Sequence, residues 1–160
     1  MSTTQSHRSF VSYIDKSREY YEAHGYERPY RWPHNDDVPF SRPRQALRDC
    51  RVGIVTTADF AGREGPRESK LFVCDTTTPE KLYTDKAWDR EATHMDDPET
   101  FLPLVRLAEC AEQGLIASAS PRFYGVPTDY SQRRTIEHDA PQIEAWMRED
   151  GVDVALLVPI

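Results

Sequence analysis

Gly151-Val-Asp-Val-Ala-Leu-Leu-Val-Pro-Ile160 is the stretch from which the fold is read. Val152 and Val154 to Val158 make a near-continuous apolar run. Such a run predicts a parallel strand covered on both faces, because a half-solvated strand would alternate apolar with polar residues. Gly151 before it is suited to end a helix, and in open parallel sheets ligands collect beyond the carboxyl ends of the strands. Ile160 therefore falls where an active-site loop is expected to begin.

Working outward, residues 139–149 predict a helix that turns Ile143, Trp146 and Met147 inward. Before it lie the strand-like Leu115-Ile-Ala-Ser-Ala-Ser120, followed by Pro121-Arg-Phe-Tyr-Gly125, and a polar loop reaching to Gln132. Leu102, Val105, Leu107, Ala108 and Ala111 give another helix its apolar face, with Asp96 or Asp97 as the cap and Gly114 as the stop. Arg51-Val-Gly-Ile-Val-Thr-Thr-Ala58 is a β-branched run and predicts the first parallel strand; Leu71-Phe-Val-Cys74 predicts a short edge strand. Strands alternating with helices predict an α/β class, a doubly wound, mostly parallel, three-layer sheet, incomplete on the carboxyl side. This domain is assigned to residues 49–160.

Residues 1–48 read as a helix and an arm. Phe10, Tyr13, Ile14, Tyr20 and Tyr21 recur at helical steps over 9–24, forming an aromatic docking face closed by Gly25. Pro29, Pro33, Pro39 and Pro43 alternate with Tyr30, Trp32 and Phe40 in an extended surface arm whose aromatics are expected to tuck in.

With 27 acidic and 20 basic residues, the net charge is −7, which argues against nucleic acid or an anionic membrane as partner. No run has the roughly 20 apolar residues of a membrane span. Cys50, Cys74 and Cys110 share no metal or redox spacing, and an odd count closes no disulfide framework, so a cytoplasmic setting is expected. Each cysteine reads as a small buried hydrophobe.

Several side chains are candidates for chemistry. His94, in His94-Met-Asp-Asp97, reads either as a general acid or base or as a local hydrogen-bonding partner; with Asp96 it falls short of a metal site, which needs three or four ligands. Arg122 follows a predicted strand and is expected in the crevice, gripping a substrate carboxylate, or else in an ion pair. Tyr124 would line the same wall, and Thr56 and Thr57 end the first strand, where hydroxyls meet ligands. Neither a dinucleotide fingerprint nor a phosphate-binding loop is present, and no metal or cofactor site is expected in the chain.

Taken together, Arg51-Val-Gly-Ile-Val-Thr-Thr-Ala, Phe101-Leu-Pro-Leu-Val-Arg-Leu, Glu112-Gln-Gly-Leu-Ile, Ser120-Pro-Arg-Phe-Tyr-Gly and Glu149-Asp-Gly-Val-Asp-Val-Ala-Leu-Leu-Val-Pro-Ile resemble, in order, the selenoprotein B family of glycine, sarcosine, betaine and D-proline reductases. The resemblance covers about residues 48–160. It implies reductive cleavage of a C–N bond in a small amino acid or amine, and a partner chain carrying a pyruvoyl group. It also implies a selenocysteine or cysteine nucleophile just after Ile160, followed by a further αβ portion. The chain holds no Cys-x-x-Cys, so the expectation is of a reductase-like protein truncated before its nucleophile, at a codon that encodes selenocysteine, or split into two subunits. A non-catalytic binding or scaffold subunit of the same fold, lacking the redox nucleophile, is the alternative; the expected partners are a small amino acid or amine and either a partner reductase subunit or further copies of the chain in a homo-oligomer.

Overall fold

A computed structural model describes residues 12–26, 35–38, 40–60, 68–79, 82, 95–126, 128 and 131–160. The chain divides into two compact units, Met1–Phe40 and Ser41–Ile160. In the first, α1 spans Ser12–Ala23. Gly25, at φ 81°, adopts the left-handed backbone that an L side chain resists. Tyr20 and Tyr21 meet edge to face with ring centroids 5.7 Å apart. Phe40 is 82% exposed. Tyr30, Trp32 and three of the four arm prolines lie outside the described residues.

The second unit is built round β1, Arg51–Thr56, whose residues from Val52 to Thr56 are all buried. On one edge it pairs in parallel with β3, Ser118–Ala119, through Arg51 and Val52, and with β4, Arg122–Gly125, through Val55 and Thr56. On the other edge it pairs in parallel with β5, Val154–Val158, from Val52 to Thr56. The short β2, Lys70–Val73, runs antiparallel to β4 and forms the far margin, as the sequence predicts. The result is an α/β fold on a mixed, mostly parallel five-stranded sheet.

Alternation along β1 sends its side chains to two cores. Val52 and Ile54 join Leu104 and Leu107 of α2, Leu104–Glu112, with Phe72 and Phe123. Val55 joins Tyr124 and Ile143, with Trp146 and Met147 against them. These last three belong to α4, Ala140–Glu149, so α2 and α4 cover opposite faces of the sheet.

Each helix starts and stops for local reasons. Asp97 caps a 3-10 turn at Pro98–Thr100 by accepting from the Glu99 N–H. Glu99 in turn accepts from the Val105 and Arg106 N–H groups, both at 3.2 Å, which satisfies donors that the first turn of α2 leaves without intrahelical partners. Gly114 at φ 69° and Gly151 at φ 65° end α2 and α4 in left-handed backbone.

Two expectations are corrected. Residues 115–125 do not form one strand followed by a loop: the ladder breaks at Ser120-Pro121 and resumes as β4. The closing strand is not central either. Among the described residues β5 pairs only with β1, and Leu157 is 74% exposed. The central position belongs to β1, which carries the same kind of apolar run but has strands on both edges.

Gly125 is closely packed, since a methyl there would run into the Phe72 ring, which stacks on Phe123 at 4.8 Å. Gly125→Ala is expected to lower stability by about 1–3 kcal/mol through overpacking. Denaturant unfolding with an unchanged slope would register the loss.

Candidate functional site

The two ends of the sheet carry different chemistry. At the amino end, Arg122 opens β4 and directs its guanidinium to the last turn of α4. Its Nε donates to Asp150 Oδ2 at 2.8 Å, and Nη2 reaches Asp150 Oδ1 at 2.8 Å and Glu149 at 3.2 Å. Tyr124, two residues on and on the same face, donates its hydroxyl to Asp150 Oδ2 at 2.6 Å and accepts from Ser120 Oγ at 3.0 Å. Tyr124 is fully buried, and its ring crosses Gly53, where a Cβ would come within 3.2 Å of Cε2. The Asp150 carbonyl accepts from Arg51 Nη1, and Arg51 Nε donates to Ser118 Oγ at 3.2 Å.

This network fixes the protonation states of its members. The hydrogen bonds from Arg122 hold the Asp150 carboxyl below the ordinary carboxylate range, outweighing the opposing effect of burial. The Arg122 guanidinium is raised by the same bond. Burial, and then the hydrogen bond to the Asp150 carboxylate, push the Tyr124 phenol up to about 12.

Thr56 and Thr57 lie at the carboxyl end. Thr56, buried, accepts from the Ala58 N–H at 3.1 Å. Thr57 Oγ1 donates to the Ile160 carbonyl at 3.0 Å and accepts from the Ile160 N–H at 2.9 Å, so one hydroxyl clamps the segment leaving β5. Nearby, Asp59 pairs with Lys70 at the head of β2. Ser69 Oγ donates to Asp139 Oδ1 at 2.8 Å, and Asp139 is only 2% exposed.

Asp139 closes a π-helical segment, Thr135–Asp139, that joins the short α3, Gln132–Arg134, to α4. Such π-turns recur at functional sites because they re-aim side chains off the helical register. An open groove of about 660 Å³ runs from these residues along α4 and β5, walled by Ile143, Met147, Ala155 and Leu157.

The structure thus separates the residues that the sequence grouped together. Thr56 and Thr57 are in the crevice. Arg122 and Tyr124 serve the opposite end, because Asp150 and Glu149 offer Arg122 carboxylates within reach; of its two readings, the ion pair is the one present. His94 lies outside the described residues. Asp139 lines the groove and is held by Ser69, and Asp59 pairs with Lys70 just after β1; none of these four was singled out from sequence. The only signal for Asp59 was its place just after the first strand, and the pairing of Ser69 with Asp139 spans 70 residues.

The thiols are placed as ordinary core side chains. Cys50 is fully buried and donates to the Ala46 carbonyl at 3.4 Å. Burial, and then Asp75, push the Cys74 thiol up to about 11. Cys110 packs half-buried against the α2 core. Among the described residues no group of three or more His, Cys, Asp or Glu side chains is placed to hold a metal, and no helix is long and apolar enough to cross a membrane.

Fold and site together define a mostly parallel α/β protein with a crevice at the carboxyl edge of its sheet. No protein-family model, curated protein or solved structure matches the chain.

The Asp150 network predicts a pH signature. A lowered folded pKa means that the Asp150 carboxylate stabilises fully above the ordinary value near ~4, and that this contribution is lost as pH falls through the lower folded value. Asp150→Asn is expected to cost about 1–3 kcal/mol near neutrality, with the gap to wild type closing in acid. Tyr124 behaves oppositely: its raised pKa stabilises fully below ~10 and the contribution fades as pH rises through about 12. Phenolate absorbance of wild type minus Tyr124→Phe should isolate one tyrosine of the eight, titrating near 12.

Proposed function

We propose that the chain is a component of a selenocysteine- or cysteine-dependent reductase resembling the glycine, sarcosine, betaine and D-proline reductases, acting in reductive C–N cleavage of a small amino acid or amine in a reducing cytoplasm. The observation that carries the reading is the clamp of Thr57 on Ile160. It fixes the backbone leaving β5 at the carboxyl edge of the sheet, the position that the resemblance assigns to the nucleophile.

In this reading the nucleophile is supplied by polypeptide following Ile160, and the pyruvoyl group by a partner chain. A selenol is the apt element there, being ionised at neutral pH where an ordinary thiol, of pKa ~8.5, is mostly protonated. The residues of this chain bind and orient. Thr56 and Thr57 shape the floor, and Asp139 faces the groove.

A second reading, a non-catalytic binding subunit, is favoured by the thiols: Cys50 is sealed in the core and Cys74 is held protonated at neutral pH.

The deciding assay follows cleavage of glycine, sarcosine, betaine and D-proline with a dithiol donor. It compares the 160-residue chain with a product extended through the next in-frame selenocysteine or cysteine motif, each with the pyruvoyl-bearing partner. Turnover confined to the extended product is expected. A folded extended product inactive on all four substrates overturns the reductase reading in favour of the binding subunit.

A further inference from the structure

The edge of β5 is written to be paired. Parallel strands send both peptide groups of a residue to the same side, alternating along the chain. The Asp153 N–H donates to the Arg51 carbonyl at 3.0 Å, which turns the peptide groups of Asp153, Ala155 and Leu157 towards β1. Those of Val154, Leu156 and Val158 therefore point outward, and among the described residues nothing pairs with them. Exposed edges are usually guarded by a charge, a proline within the strand or a bulge. Val154-Ala-Leu-Leu-Val158 has none of these: Asp153 lies before it, accepting from the Arg51 N–H at 2.9 Å, and Pro159 lies beyond it.

We infer that β5 is a homodimer interface, pairing antiparallel with β5 of a second copy about a twofold axis through Leu156. Three features favour a second copy over another occupant. An axis at Leu156 makes Leu156 face its own copy and Val154 face Val158, so the outward N–H and C=O groups meet in mutual hydrogen-bonded pairs at each of these positions. It also sets Ala155 opposite Leu157, a small side chain against a large one, in the non-hydrogen-bonded pairs where side chains approach most closely. No charge is brought face to face anywhere along the pairing, and both Ala155 and the 74%-exposed Leu157 lose solvent. The sheet then runs continuously through both copies. The inference stands on the strand alone and does not rest on the reductase reading.

Sedimentation of the 160-residue chain over a micromolar concentration series is expected to show a monomer–dimer equilibrium. Leu157→Glu places a carboxylate against Ala155 of the other copy and should raise the dissociation constant roughly tenfold or more. Adding Ala155→Lys to that variant pairs the charges across the axis and should restore the dissociation constant to within about threefold. Both positions are exposed in the single chain, so the variants should keep the wild-type circular dichroism and melting temperature; if the first pair unfolds, Leu157→Lys with Ala155→Glu poses the same test with charges exchanged. A chain that stays monomeric, an open-ended ladder of oligomers, a dimer indifferent to Leu157→Glu, or a folded double variant that is not restored each overturns the inference.

Discussion

The carboxylate of Asp150 is the point on which the fold turns. It receives the Arg122 guanidinium from the first residue of β4 and the Tyr124 hydroxyl from the middle of that strand, while its own carbonyl receives Arg51 from the first residue of β1. Three elements distant in sequence are thereby tied at the amino end of the sheet: the start of β1, the start of β4 and the end of α4. A half-buried arginine or a fully buried tyrosine hydroxyl would be costly without such partners. Gly53 is the concession that the arrangement requires, since the Tyr124 ring can reach Asp150 only by lying across a residue without a side chain. Once α4 is anchored there, Gly151 turns the chain and β5 must enter the sheet beside β1.

This division of labour explains why the polar residues of the two ends differ in kind. At the amino end the charges are spent on one another, with Asp150 held ionised and Tyr124 held neutral across the physiological range. At the carboxyl end, threonine hydroxyls border a groove open to solvent, and the π-helical step before α4 brings Asp139 into it. The charged network and the open groove thus lie towards opposite ends of the same strands, and the carboxyl ends are where parallel α/β sheets generally take ligands.

The sequence is legible where structure is local. The apolar run of β1, the face and glycine stop of α2, the inward Ile143, Trp146 and Met147 of α4, and the edge character of β2 all follow from periodicity and punctuation within a few residues. What periodicity cannot report is pairing. The run of β5 has the composition of a doubly covered strand, yet its position depends on which neighbours form, and β1 alone does so among the described residues. Arg122 was placed beyond a strand because Ser120-Pro121 looked like its end; the ladder resumes one residue later, and the guanidinium meets a carboxylate 28 residues away. The pairing of Ser69 with Asp139 and the Thr57 clamp on Ile160, across 103 residues, leave no local trace at all.

Among the described residues β5 has one edge taken by β1 and the other presented outward. Residue-resolved amide hydrogen exchange in dilute, monomeric protein tests this most directly. The amides of Ala155 and Leu157, directed at β1, should exchange slowly, and those of Val154, Leu156 and Val158 rapidly, with the second set gaining protection as concentration rises. Equal protection of all five amides in the monomer would contradict it.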